Sequence, residues 1–332
     1  MRGYAIMHFD EPLKGRRIRV TSARNWFTIT MMSALFTLLA ASAWGQRIDI
    51  PLIVTGAHGP NTWMSVHYAH QFEADVDNST AEMERNSVQV VAGHRFEVRD
   101  DVFLVGNVAY HGSYYDFSNG NDRSQLRWSD IHQATLTLGV GWKVDEHWTL
   151  MALGMGRTAG ESGADFGDTL TGGSTFVVDY RWSENLSTGL MLGVLSQLED
   201  SVAIIPVPTV DWRFADGWRF SLGMVGLAHP GIGPEISYRS GNWEFALGGS
   251  FQKRRYRLDN RSGPTNEGIG QEISLPIFAR AGFAPNQNMN FGLMAGVALA
   301  GELRSGADGG SKVFKNNYDP APIIGIQANF LF

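Results

Sequence analysis

The sequence predicts an all-β protein, an antiparallel up-and-down β-barrel of about fourteen strands that spans a membrane, with twelve strands as the alternative count. Three observations lead to this prediction. Apolar and polar residues alternate over segments of roughly ten residues, the length that crosses a bilayer as a tilted strand. Short polar turns alternate with longer loops, and aromatic residues flank the short turns.

The composition agrees with a barrel better than with a soluble enzyme. Charged residues make up 18% of the 332 residues, below the roughly 25% of an average soluble domain, while aromatic residues reach 11% and there are 39 glycines. The absence of cysteine excludes a disulfide framework, a thiolate metal site, a cysteine nucleophile and a lipoprotein-type lipid anchor.

The first 45 residues have the features of a secretory signal peptide. Four arginines between residues 16 and 24 precede an apolar run over residues 26–40, and small residues follow it. The run is too short and too close to the N-terminus for a transmembrane helix. A twin-arginine signal at Arg16-Arg17 is disfavoured, because barrels cross the inner membrane unfolded. We therefore expect Sec-type export and cleavage before Gln46 or, alternatively, before Trp44.

The expected mature protein has a lead-in in the periplasm over residues 46–62 and a barrel over residues 63–332. Removal of residues 1–45 takes away six basic and two acidic residues, which leaves 21 basic and 31 acidic residues and a net charge of −10. No basic face remains for a nucleic acid. The expected location is the outer membrane of a Gram-negative bacterium.

The clearest alternation runs from Ile131 to Lys143. The even positions carry Ala134, Leu136, Leu138 and Val140, and the odd positions are small or polar. Such a strand presents one face to lipid and the other to the lumen. Fourteen segments of this kind are predicted: 63–73, 87–98, 102–115, 130–143, 147–157, 171–182, 186–196, 202–214, 218–227, 232–239, 243–257, 269–284, 289–300 and 321–332. Segment 232–239 is the weakest, because it is short and follows Pro230.

The lengths of the connections between these segments distinguish a membrane barrel from a soluble sandwich. Tight polar turns are predicted at 145–147, 183–185, 215–217, 240–242 and 285–288. Longer stretches rich in Gly, Asp, Asn and Ser are predicted as external loops at 116–129, 158–170, 258–270 and 301–320. Outer-membrane barrels have short periplasmic turns and long external loops. Pro206, Pro208 and Pro276 fall inside proposed strands, where we expect bulges.

Aromatic residues recur beside the tight turns, as in the belts that barrels place at the membrane–water boundary. The predicted periplasmic girdle consists of Trp142, Trp148, Tyr180, Trp182, Trp212, Trp218, Tyr238 and Trp243. Cross-strand aromatic pairing in a soluble sheet is the alternative explanation. The chain ends on Phe332, and a terminal strand that closes on Phe is the form in which barrels commonly meet their insertion machinery. That machinery is therefore an expected partner.

The stretch from Val178 to Phe332 resembles an uncharacterised bacterial family of outer-membrane β-barrels, described only as a domain of unknown function. The resemblance rests on the hairpin 180–186, the strand from Ile205-Pro206 to Trp212-Arg213, the segment from Gly233-Pro234-Glu235 to Tyr238-Arg239, and the strand 278–283. It covers the first strands only loosely. These motifs are turns and girdles, so the resemblance implies a barrel fold and supplies no catalytic residue.

Charged residues with lumen-facing parity gather on the later strands: Asp179, Arg181, Asp211, Arg213, Glu235, Arg239, Glu244, Arg254, Glu272 and Arg280. Because both signs occur at similar depth, we expect them to form salt bridges in a water-filled or partly plugged interior. A constriction that guides a substrate is the alternative. Lys253, Arg255 and Arg257 lie at an expected external end and are candidates for contact with lipopolysaccharide phosphates, or else form a solvated rim.

Two sets of residues are of the types that form a hydrolase site or a metal site. His111 with Ser113, or Ser118 with Asn119, could form part of a lipid-hydrolase site, but the residues are spread over a strand and a loop without a fixed orienting group. His58, His67 and His70 are not expected to bind a metal, since His67 and His70 have opposite strand parity. The sequence predicts no enzyme and no cofactor. It favours a passive pore, then a structural barrel with a closed lumen, and only distantly a lipid hydrolase.

Overall fold

A computed structural model describes residues 62–77, 79–118, 128–225, 231–259, 267–307 and 313–332. The predicted signal peptide and residues 46–61 of the predicted lead-in, together with His58 and Asn119, lie outside these residues, whereas Thr62 is described. The strands are β1 (Thr62–Asp75), β2 (Glu82–Arg99), β3 (Val102–Ser118), β4 (Asp130–Lys143), β5 (Trp148–Glu161), β6 (Leu170–Ser183), β7 (Leu186–Gln197), β8 (Asp200–Ala215), β9 (Trp218–Val225), β10 (Gly231–Ser240), β11 (Trp243–Gly249), β12 (Gln252–Arg257), β13 (Ile269–Asn286), β14 (Met289–Gly306), β15 (Val313–Tyr318) and β16 (Ala321–Leu331). None of the helical residues described forms a segment long and apolar enough to cross a membrane.

The described strands form a closed antiparallel barrel. From β1 to β11 each strand pairs with the next one along the chain, and β1 closes the ring on β16 from Trp63 opposite Leu331 to Gln71 opposite Ile323. β11 and β12 pair with successive parts of β13, and β15 and β16 with successive parts of β14, so each of these two pairs is one broken strand. The described strands therefore cross the barrel wall fourteen times, which confirms the predicted architecture and count.

Tight turns and both ends of the barrel segment lie together at one end, here called the turn end. Its turns are at residues 100–101, 144–147, 184–185, 216–217, 241–242 and 287–288. Asp145 shows how such a turn is stabilised. Its carboxylate accepts hydrogen bonds from the backbone N–H groups of His147, at 2.8 Å, and Trp148, at 2.7 Å. These bonds lower the pKa of Asp145 below its ordinary value. The opposite end, called the loop end, carries the remaining connections.

Strand β4 illustrates the two faces of the wall. Leu136, Leu138 and Val140 are exposed on the outside, whereas Thr135 and Thr137 are buried inside. The alternation in the sequence predicts this arrangement, because successive side chains of a strand point to opposite faces. Most of the exposed large apolar residues of the other strands have the outward parity as well, so the exterior is an apolar band.

Two details differ from the sequence-based expectations. The predicted loop 301–320 contains the end of β14 and all of β15, because polar residues that suggested a loop pair across these strands: Glu302 binds Lys315 at 2.6 Å and also contacts Arg304. No bulge interrupts the pairing of β7 with β8 at Pro206 or Pro208. Pro276 does lie beside a bulge, and opposite the break between β11 and β12.

Candidate functional site

The candidate site is the barrel interior, which differs between the two ends. At the loop end, β12 leaves the line of β11 and Arg257 pairs in parallel with Gly160 of β5. This pair lies just beyond Thr158, the last residue of β5 that pairs with β6. Contact between β12 and β5 therefore shortens the circumference of the barrel at the loop end. Barrels of about eight strands have an interior that side chains can fill.

Aromatic side chains fill the narrowed loop end. Trp128 is fully buried and makes edge-to-face contacts with Tyr115 and Phe117 at 5.9 Å and with Tyr256 at 5.5 Å, measured between ring centroids. We call these four residues the aromatic plug. Aromatic pairs in this geometry add to the stabilisation that burial of their area provides. The plug packs with apolar residues from β1, β2, β14, β15 and β16, so the interior is closed here.

A buried ionic network lies beside the aromatic plug. The Glu272 carboxylate, 1% exposed, binds the Arg85 guanidinium and lies 3.3 Å from Arg254, and both arginine side chains are only 5% exposed. Tyr115 and Tyr318 each donate a hydroxyl hydrogen bond to the same carboxylate. A charge taken out of water needs such partners, and loss of one partner leaves the others uncompensated.

Arg257 connects β12 with three neighbouring segments. Its guanidinium contacts the Glu199 carboxylate in the turn between β7 and β8, and donates hydrogen bonds to the backbone oxygens of Glu267 at 2.6 Å and Asp168 at 3.3 Å. Arg257 is buried, while Lys253 and Arg255 are half-buried. Arg257 is thus engaged within the protein, and lipopolysaccharide contact through Lys253 and Arg255 stays a prediction.

The charged residues near the turn end form a separate network that is more exposed to solvent. Arg280 binds Glu235 at 2.8 Å and Glu244 at 2.9 Å, and Arg239 binds Glu244 at 2.7 Å. Beside them, Arg219 makes two bonds of 2.7 Å with Asp211. The structure thus divides the predicted charges: Arg254 and Glu272 belong to the buried network, and Asp211, Glu235, Arg239, Glu244 and Arg280 to this one.

The other predicted charges lie close to the turns. Asp179 and Arg181 are half-buried on β6, and Arg213 is exposed on β8. The predicted girdle residues are on the outer side of the same end, where Trp148 contacts Tyr180 at 4.6 Å and Trp218 contacts Tyr238 at 4.9 Å between centroids. Trp142, Trp182, Trp212 and Trp243 are also exposed there. Phe283 belongs to the same belt, 4.9 Å from Trp243.

A second apolar cluster, the wall cluster, lines part of the interior. Its buried members are Trp63, Phe103, Val105, Met151, Leu153, Val177, Met191, Leu195, Ala203, Ile205 and Val207. They come from β1, β3 and β5–β8, across from the charged residues of β9–β13. The interior therefore has an apolar patch across from the charged residues of β9–β13, an arrangement that the sequence did not predict.

The side chains of the two strand residues that could take part in hydrolysis, His111 and Ser113, are buried. Ser113 Oγ lies 3.3 Å from His111 Nε2, and both residues are buried, at 3% and 4% exposure. Ser118 instead donates a hydrogen bond to Glu82 at 3.2 Å. The structure contains no group of three or more His, Asp or Glu that could hold a metal ion within the described residues.

Several residues of the interior were missed from sequence. Arg85 and Arg219 have inward parity on β2 and β9. Extending the predicted segment 87–98 by two residues would have identified Arg85, and Arg219 already lies within the predicted segment 218–227. Tyr115, Tyr318 and Trp128 gave no comparable sign, because their role depends on contacts far along the chain. Tyr115 meets Glu272 across 157 residues, Tyr318 meets it across 46 residues, and Trp128 packs against Tyr256 of β12.

Comparison with solved structures finds barrels of similar extent. The COG4313 outer membrane channel from Pseudomonas putida F1 matches with a TM-score of 0.47 and 12% identity over 86% of this chain and 100% of that one. A Pseudomonas aeruginosa FadL homologue gives 0.47 and 9%, over 82% and 90%. The Pseudomonas putida toluene transporter TodX gives 0.46 and 9%, over 88% and 96%. A search of curated protein sequences finds no match.

The family model extends further along the chain than the resemblance noted from the sequence, which covered the first strands only loosely. Its match spans residues 68–330, from β1 to the last residues of β16. The chain belongs to the family described as Domain of unknown function (DUF6268).

Proposed function

We propose that this protein is an outer-membrane channel for small solutes and that the described conformation is closed at the loop end. The observation that carries the proposal is the difference between the two ends in the circumference of the barrel and in the solvent exposure of the inward-facing charges. Fourteen strands enclose more space than the eight of a barrel that side chains fill. The charged side near the turn end keeps partial contact with water, since Glu235, Glu244 and Arg280 remain 12–17% exposed.

The location follows from the outer surface. The exterior carries an apolar band, and aromatic residues lie beside the tight turns, as lipid and its boundary require. We place the turn end in the periplasm and the loop end outside the cell. Export by a Sec-type signal, insertion through the strand that ends at Phe332 and contact with outer-membrane lipids belong to the same proposal.

A structural barrel with a closed lumen is the second candidate. It is favoured by the aromatic plug and by the burial of Glu272, Arg85 and Arg254, which together leave the loop end filled. A lipid hydrolase is disfavoured by geometry, because His111 and Ser113 are buried where a lipid ester cannot approach them.

Conductance in planar bilayers tests the proposal. We expect the purified wild-type protein to conduct rarely, and the double variant Trp128→Ala, Tyr256→Ala to open more often, because two rings of the aromatic plug are removed. The matched control is Trp243→Ala, Tyr238→Ala, which removes two aromatic residues from the outer girdle. Heat modifiability on gels verifies that each variant is folded.

The outcomes separate the two candidates. Ion conductance that rises in the plug variant and not in the girdle variant supports a channel with a closed loop end. Frequent conductance in the wild type supports a channel and contradicts the closed state. Folded variants that never conduct favour the structural barrel.

A further inference from the structure

The pairing of β8 with β9 ends in the middle of the barrel wall. It continues from Ala215 opposite Trp218 only as far as Val210 opposite Leu222. At the next three positions both strands are described, yet residues 207–209 of β8 do not pair with residues 223–225 of β9. On its other side β8 remains paired with β7 over the same residues. The strands stay in contact at the first of these positions, where a Cβ at Gly223 would lie 4.0 Å from Thr209 Cβ. We call this unpaired stretch the β8–β9 seam.

Proline removes a backbone donor from the β8 side of the seam. Arg213 donates its N–H towards β7, to Asn185, and the direction of hydrogen bonding alternates along an antiparallel strand. The even-numbered residues of β8 therefore direct their backbone groups at β9. Pro208 is even-numbered and lies opposite residue 224 in this register, but it lacks an N–H, so the donor that would join the strands here is absent. Pro206, the preceding even-numbered residue, lacks an N–H as well.

On the β9 side the chain bends at Gly223. Its φ of 144° is one that L side chains rarely adopt, so glycine permits a backbone direction here that other residues resist. Beyond the bend, Met224 and Ile232 have the outward parity of Ile236, but both pack against the wall cluster inside the barrel. The end of β9 and the start of β10, at Met224 and Ile232, therefore place their outward-parity side chains against the interior.

The seam connects two apolar regions. Inside are Ile205 and Val207 of the wall cluster, and outside are Val202 and Ile204, which are exposed on the lipid side. Val210 is five residues from the end of β8, which places the start of the seam roughly 12 Å from the turn end for a strand tilted by about 45°. This depth is near the middle of an apolar band about 25 Å tall.

We propose that the β8–β9 seam is a lateral route by which small apolar molecules pass between the barrel interior and the hydrocarbon of the membrane. Among the described residues, side-chain packing of Met224 and Ile232 covers the seam, and no strand pairing joins residues 207–209 to residues 223–225. Apolar contacts part at a lower cost than a ladder of backbone bonds exposed to lipid. The route rests on the proposed channel function and assigns it an apolar class of solute.

A reversible cross-link tests this route, since the chain has no cysteine of its own. A Cβ at Gly223 would lie 4.0 Å from Thr209 Cβ, within the range of a disulfide. The variant Thr209→Cys, Gly223→Cys should therefore fasten the base of the seam when oxidised. Because the φ of Gly223 disfavours a side chain, heat modifiability and dye uptake of the reduced variant first verify that it is folded and active. The control Val91→Cys, Ala109→Cys joins opposed residues of β2 and β3, which are fully paired at this depth.

Uptake of the apolar dye N-phenylnaphthylamine by cells that carry each variant is measured before and after oxidation, and again after reduction. We expect oxidation to abolish the protein-dependent uptake in the seam variant, reduction to restore it, and the control to remain unchanged. Uptake that oxidation of the seam variant leaves intact would overturn the lateral route.

Ion conductance of the same preparations keeps this result separate from the channel proposal. Conductance without any effect of the seam cross-link on dye uptake overturns the lateral route and leaves the channel standing. A seam-dependent uptake without ion conductance supports the lateral route and contradicts an aqueous pore. Absence of both conductance and uptake in folded protein overturns both proposals.

Discussion

The loop end and the turn end of the barrel both hold inward-facing ion pairs, but only the loop end removes them from water. Glu272 and its two arginines are almost completely buried, with tyrosine hydroxyls completing the shell. At the turn end Glu244 is 17% exposed and its partner Arg239 is 66% exposed. The comparison teaches that the alternation of the sequence sets which charged residues face inward, whereas the local circumference of the barrel sets how much stability is lost when one charge of a pair is removed.

The largest expected effect comes from removing the central charge of the buried network. Glu272→Gln leaves Arg85 and Arg254 without their counter-charge in a closed interior, which should lower the free energy of unfolding by about 3–5 kcal/mol. The matched change Glu244→Gln should cost about 1 kcal/mol or less, because Arg280 keeps Glu235 and Arg239 is solvated. Urea unfolding in lipid vesicles measures both, and equal losses would mean that the two ends do not differ as described.

The second effect concerns a charge placed on the outer surface of the barrel at different depths in the membrane. Leu138 is 59% exposed in the middle of β4 and Trp142 is 46% exposed next to its turn. Arginine at Leu138 should destabilise the barrel by roughly 2–4 kcal/mol and arginine at Trp142 by about 0–1 kcal/mol, since the cost of a charge falls from the bilayer centre to its boundary. The same unfolding assay applies. A larger loss at Trp142 would place the membrane differently along the barrel.

The smallest effect is expected at the buried Ser113. Ser113→Ala removes a long hydrogen bond to His111, which is worth about 1 kcal/mol or less. We expect unchanged bilayer conductance, and no release of fatty acid from phospholipid by either the wild type or the variant. Lipid hydrolysis that disappears in Ser113→Ala would contradict the channel proposal and would require the closed loop end to open for substrate.

The tertiary structure decided three features that no local pattern contained. The narrowing at the loop end depends on β12 meeting β5 about a hundred residues earlier in the chain, at Arg257 and Gly160. Pro206 and Pro208 suggested bulges, and only the path of β9 beyond Gly223 shows that they border a seam. The split of the charged residues into a buried and a wet network follows from the same long-range geometry.

The sequence by itself determined the barrel, its strand count and the facing of strands such as β4, because alternation, tight turns and aromatic belts are local consequences of a strand between lipid and lumen. It could not determine the shape of the interior. Inward-facing residues carry the same parity whether the space in front of them is water or a packed side chain. Glu272 meets packed side chains and Glu244 keeps contact with water, and this difference depends on the distance between opposite walls of the barrel. That distance is set only in the folded barrel.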